Sequence, residues 1–291
     1  MTATQLKPSR PAQSRPAGGR RPGLPTAYRF ELTKLAAQAR ARYALLGCLL
    51  APVLVVFILD GQGRPPKDTL FGRHVHASGY AVPLLLLSFA AQWVLPLLTS
   101  LVAGDIFASE DSHGTWKTIL TRSVSRGRLF AAKTLVSATY AVLVLVVLAT
   151  STILASTTIV GTQDLIGLSG QLIPGADAAR LVVQAWATAL PPLLAFTSLA
   201  ILLSVLSRNP AVGVVAPIVI GFVLQLVGSL GGIDLPRRLL LTTPFEAWHG
   251  LLVAPPFSAP LWLGLAVSAA WCAVCLALAY TALRRRDITG G

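Results

Sequence analysis

Five uncharged runs divide the chain, at 74–104, 134–163, 181–207, 209–233 and 247–283. Each exceeds the roughly 20 apolar residues that carry a helix across the hydrocarbon core of a bilayer. A shorter sixth run covers 43–59. Trimmed to their apolar centres, these runs predict spans at 43–59, 80–103, 133–156, 181–206, 211–230 and 262–283. Their apolar residues do not alternate with polar ones, which excludes barrel strands. The pattern therefore predicts an all-α integral membrane protein of six transmembrane helices over 43–286, with no internal repeat and no second soluble domain.

Ahead of the first span the pattern changes twice. Residues 1–26 are rich in Pro, Arg, Ser and Gly, the composition of a disordered basic tail. Arg20-Arg21 is followed by Pro-Gly-Leu-Pro rather than an apolar stretch, so no cleavable signal peptide is expected. Over 27–42, Tyr28, Leu32, Leu35, Ala36, Ala39 and Tyr43 recur at helical spacing, with Arg29, Lys34, Arg40 and Arg42 largely off that stripe. This predicts an amphipathic helix lying in the headgroup region, against the plainer reading of a charged lead-in. A short tail, 287–291, closes the chain.

Charge adds orientation. The net charge of +13 would suggest nucleic acid in a soluble protein, but here its placement matters more. Nine basic residues precede Tyr43, five lie from Lys117 to Lys133, Arg208 follows the fourth span, and Arg284, Arg285 and Arg286 follow the sixth. The alternate connections hold only Arg64, Lys67, Arg73, Arg180, Arg237 and Arg238. The positive-inside rule puts both termini and the connection between spans two and three in the cytoplasm. The excess suits anionic lipid, and no nucleic-acid partner is expected.

That connection is the most polar stretch of the centre. Ser-Glu-Asp-Ser-His precedes Gly114-Thr115, then Trp116, Ile119 and Leu120 fall at i, i+3, i+4 beside Lys117 and Arg122. Ser125 is placed to cap the next helix, and Lys133 to snorkel from its first turns. A docked amphipathic segment and a solvated loop that only fixes topology both fit this pattern.

Elsewhere candidate chemistry is sparse. Cys48, Cys272 and Cys275 fall inside spans and read as inert buried thiols; no metal site is expected. His74-x-His76 offers two ligands without a third. Gly167-Leu168-Ser169-Gly170 with His249 matches a short intramembrane serine-hydrolase pattern, but both residues lie in connections. No Asp, Glu or Arg occurs near mid-membrane, which weighs against an ion-coupled secondary transporter. Gln92, Gln184 and Gln225, with Trp93 and Trp186, either line a substrate path or satisfy interhelical hydrogen bonds. Gly213, Pro217, Gly221 and Gly228 share one side of the fifth span and suit close approach of a second copy, or face lipid.

The order Glu110-x-x-x-Gly114-Thr115-x-Lys117-x-x-Leu120-x-Arg122-x-x-Ser125-Arg126, then Lys133 entering a span, resembles the cytoplasmic loop of type-2 ATP-binding cassette (ABC) exporter permeases. The six-span plan and the outer stretch "LTTPFEAWHGLL" are similar too, though Ser123 stands where the family usually has proline. The resemblance implies that the loop forms a coupling helix seated in a cytosolic ATPase, with Glu110, Gly114, Thr115, Lys117, Arg122, Ser125 and Arg126 at or near the contact. It also implies a plasma (inner) membrane location, export, and pairing of two permease subunits, identical or paralogous. No G-x-x-x-x-G-K-[ST] motif occurs, so the chain is expected to be no enzyme itself; ATP and magnesium would bind the partner ATPase.

Overall fold

The structure, a computed structural model, describes residues 23–63, 66, 69–114, 125–230 and 234–285. Among the described residues, six helices are long and apolar enough to cross a membrane: span 1 (Ala39–Gly61), span 2 (Ala81–Ser112), span 3 (Arg126–Ile159), span 4 (Gly175–Ser207), span 5 (Pro210–Ser229) and span 6 (Ala259–Arg285). They coincide with the six apolar runs, extended by a turn or more wherever polar residues continue the helix beyond its apolar centre.

Span 4 is the hub. It packs against spans 2, 3, 5 and 6, while span 3 gathers spans 1 and 2 and the N-terminal helix. Burial follows this order: 72% of the apolar window of span 4 is buried, against 17% for spans 1 and 5. Small residues make the hub possible, since Ala195, Ser198, Ala200 and Ser204 are all buried and let neighbouring backbones approach.

The N-terminal helix is Leu24–Ala37, and Gln38 ends it in an extended conformation (φ −75°, ψ 119°). Arg40 and Arg42 therefore begin span 1 rather than finishing the amphipathic helix, a correction to the expected boundary of 27–42. Arg40 fastens the corner by donating to Gln38 Oε1 at 3.2 and 3.1 Å. The inward face is Ala27, Glu31 and Leu35, with Tyr28 and Leu32 half-buried beside it. Of the expected stripe, Tyr28, Leu32 and Leu35 face inward while Ala36, Ala39 and Tyr43 are exposed, and the carboxylate of Glu31 at its centre was not foreseen.

Span 2 is not one regular helix. An α-helix over Ala81–Phe89 passes through a π turn, Ala90–Val94, into Leu95–Ala103. Pro96 cannot donate to the turn before it, and the wider turn absorbs the missing bond. A four-residue turn then leads to a short helix, Ala108–Ser112. Spans 4 and 5 are joined tightly at Arg208, whose φ of 54° reverses the chain. Asn209 caps span 5, its Oδ1 accepting from the amides of Ala211 at 2.9 Å and Val212 at 3.4 Å, with Pro210 in the first turn.

At the opposite end a two-stranded hairpin, Leu165–Ile166 with Leu172–Ile173, precedes span 4. It is sewn to the connection before span 6: Leu168 N and Gln171 Nε2 both donate to Leu252 O, at 2.8 and 2.9 Å. That connection carries a 3₁₀ helix, Thr243–Leu251, whose Phe245 and Trp248 are buried. Phe245 meets Phe196 of span 4, and Trp248 stacks on Phe71.

Candidate functional site

The polar stretch between spans 2 and 3 grows from a buried ion cluster. Glu110 lies in the short helix that ends span 2, Lys133 near the start of span 3, and Glu31 and Lys34 on the N-terminal helix. Lys133 Nζ donates to Glu31 Oε2 at 3.0 Å and to Glu110 Oε1 at 3.1 Å. Lys34 also pairs with Glu110, and Arg40 pairs with Asp105. Lys133, Glu110 and Glu31 are at most 4% exposed, so these charges are held by one another and not by water. Among the described residues, three carboxylates (Glu31, Asp105 and Glu110) face three cations (Lys34, Arg40 and Lys133).

Packing fixes the cluster in place. Phe107 is fully buried, and Lys133 Nζ stands 5.8 Å from the centre of its ring. Phe107 meets Phe130, Phe130 meets Tyr280, and Arg284 lies over Tyr280, so an aromatic line joins spans 2, 3 and 6. From span 4, Ser204 Oγ accepts from the amides of Phe107 and Ala108 at 3.2 and 3.0 Å. One hydroxyl thus satisfies two donors at the start of the helix that carries Glu110.

Glu110, expected at a partner surface, instead turns inward and pairs with lysines of its own chain. Lys133, expected to snorkel, is buried. The side chain does not reach for the headgroups because two carboxylates meet it inside. Gly114 is exposed with φ +63°, a left-handed conformation that ends the short helix. Ser125 does cap span 3, its side chain accepting from Arg128 N at 3.4 Å. Arg126 donates through Nη1 to Arg284 O at 3.0 Å. Thr115, Lys117 and Arg122 lie outside the described residues.

The remaining candidates separate. Gln92 and Trp93 occupy the π turn, and Trp93, 42% exposed, meets Phe222 of span 5 at 5.7 Å; Gln225 is half-buried one turn further on. Gln184 and Trp186 sit on the other half of span 4, where Trp186 is buried in the core. Gly213 is not on an open face. It meets Gly104 of span 2 so closely that a Cβ on either would overlap the other's carbonyl oxygen. Gly221 lies against Phe196, Gly228 against Leu240, and Pro217 is buried. The close approach expected of this face is therefore made within the chain.

The serine-hydrolase pattern does not assemble. Ser169 Oγ accepts from Ala254 N at 3.1 Å, tying the hairpin to the far connection, and makes no hydrogen bond with His249. Burial lowers the His249 pKa from its usual 6.5. Among the described residues no three His, Cys, Asp or Glu side chains gather as a metal site, and the three cysteines are free thiols.

A family model described as ABC-2 family transporter protein matches residues 28–228. The chain belongs to that family. The matched region runs from the inward face of the N-terminal helix through span 5, so every member of the ion cluster falls inside it. It stops before the 3₁₀ connection and span 6. A search of curated proteins finds no match. The protein is an ABC transporter permease: a multi-pass transport subunit of a family that works with an ABC ATPase subunit.

The sequence pointed to Glu110 and Lys133 but missed Glu31, Arg40, Asp105 and Ser204. A signal was present for Glu31, which sits three residues before Lys34 in a stripe otherwise apolar. Nothing in the sequence paired Ser204 with the amides of Phe107 and Ala108.

Proposed function

We propose that this permease couples ATP hydrolysis by a separate cytosolic ABC ATPase to outward movement of an amphipathic substrate across the plasma membrane. Two permease subunits, identical or paralogous, form the pathway. The loop over 110–126 is the docking element, with Gly114, Thr115, Lys117 and Arg122 towards the ATPase. Glu110, Ser125 and Arg126 hold its two ends. ATP and magnesium bind the ATPase subunits, and both termini of the permease face the cytosol.

The observation that carries this reading is the rooting of the loop. A segment that receives a push must not slide on its own base. Here its first end is fixed by Glu110 to Lys34 and Lys133, and by the Phe107 and Ala108 amides to Ser204. Its second end is fixed by the Ser125 cap and the Arg126–Arg284 hydrogen bond. Displacement of the loop is then delivered to spans 2, 3, 4 and 6 together. Gln92, Trp93, Phe222 and Gln225, partly exposed where spans 2 and 5 meet, supply mixed apolar and hydrogen-bonding groups suited to an amphipathic cargo.

A photo-crosslinking residue at Lys117 in the purified complex tests the docking assignment. Crosslinks to the ATPase subunit are expected from Lys117 and none from Leu172 on the hairpin at the opposite end. Equal crosslinking from both positions, or none from Lys117, contradicts it.

A further inference from the structure

Glu31 belongs to no motif of the loop, yet it holds the same ammonium group as Glu110. Lys133 Nζ lies 3.0 Å from Glu31 Oε2 and 3.1 Å from Glu110 Oε1, with all three side chains at most 4% exposed. We propose that Glu31 is a positioning residue for coupling: by sharing Lys133 with Glu110 it makes the N-terminal helix move as one body with the foot of the docking loop. This deepens the permease reading and rests on it.

Three features carry the inference. Among the described residues Lys133 is the cation paired with Glu31, whereas Glu110 also holds Lys34 from the same N-terminal helix. The N-terminal helix is therefore fixed to the loop foot twice, directly through Lys34 and through Lys133 of span 3. The attachment runs in a low-dielectric setting, where separating the charges would leave a buried carboxylate without a counter-charge. Finally, the extended break at Gln38 separates this helix from span 1, so its position is not dictated by the direction of that span. The helix has a charged anchor at its centre, and Arg40 holds the corner that follows it. Tyr28 adds a second contact on span 3, its hydroxyl 2.9 Å from Thr139 Oγ1.

The experiment uses the full chain purified with its ATPase subunit from the native host and reconstituted in nanodiscs. Glu31→Gln keeps an acceptor for Lys133 but removes the charge, whereas Glu31→Asp keeps the charge. In Glu31→Gln the ATPase is expected to remain bound while its permease-dependent hydrolysis falls about 5-fold or more. Glu31→Asp is expected to restore it. Unchanged hydrolysis in Glu31→Gln overturns the inference and leaves the permease reading standing; failure of the wild-type chain to retain any ATPase overturns both.

Should Glu31→Gln not fold, spin labels at the exposed Thr33 and Ser112 in an otherwise wild-type complex, its native cysteines replaced, give the second measurement. Their separation is expected to stay the same before and after nucleotide trapping. A nucleotide-dependent change in that separation overturns the inference.

Discussion

Lys133 Nζ stands 3.1 Å from Glu110 Oε1, joining the two ends of the loop between spans 2 and 3 through side chains only 1% and 3% exposed. The pair is not an ornament of the surface. Removing Lys133 takes a paired cation from both buried carboxylates, Glu31 and Glu110.

Lys133→Met is therefore expected to destabilise the protein by about 3–5 kcal/mol, the cost of breaking a buried pair from one side. Lys34→Ala should cost about 1 kcal/mol or less, because that side chain is 43% exposed and screened by water. Thermal unfolding in mild detergent measures both. Equal effects from the two variants would show that burial does not set the strength of the cluster.

The crossing of spans 2 and 5 gives a second expectation. Gly104 and Gly213 each fill the space that the other's Cβ would need. Gly213→Val should push the helices apart and cost at least the ~1–3 kcal/mol of an overpacked core, with a matching loss for Gly104→Val. The effects should be less than additive, since either substitution breaks the same contact. A double variant showing the full sum would contradict this.

At Gly114 the backbone decides. A Cβ there meets none of the described residues within 4 Å, so Gly114→Ala brings chiefly the strain of φ +63°. That strain is about 1–2 kcal/mol. It should re-aim the loop and weaken ATPase retention while leaving the unfolding temperature of the permease nearly unchanged. Loss of stability with normal retention would assign Gly114 to the fold rather than to docking.

Much of this architecture was legible in the chain. Apolar runs located all six spans, because a bilayer demands a continuous apolar length and the chain must meet that demand locally. The amphipathic stripe found the N-terminal helix, but not its end at Gln38, where a corner is set by the Arg40–Gln38 and Arg40–Asp105 contacts made after folding. The motif around Glu110 singled out the segment whose base the ion cluster holds. It misjudged the direction of Glu110 because side-chain orientation depends on Lys133 and Lys34, which arrive from elsewhere in the chain. Small residues of span 5 announced a close contact, yet only the tertiary arrangement could name Gly104 as the partner.

Half-buried His249 makes stability depend on pH. Its pKa is lowered from 6.5 by burial, so the unfolded chain takes up a proton where the folded protein does not. Its contribution is complete above the unfolded value of about 6.5 and declines as pH falls through that value towards the lower folded one. His249→Gln should flatten this part of the stability profile. A variant with the same decline between pH 7 and 5 would show that the dependence arises elsewhere.

A separate ATPase is proposed to seat on the loop rooted by Glu110 and Lys133. Purifying the wild-type chain from its native host in nanodiscs, beside a variant with Lys117→Glu and Arg122→Glu in the loop, tests it most directly. A stoichiometric ATP-binding subunit is expected with the wild type, and its loss from a variant that still folds. Recovery of the chain without any ATP-binding subunit, or equal recovery with both chains, would contradict it.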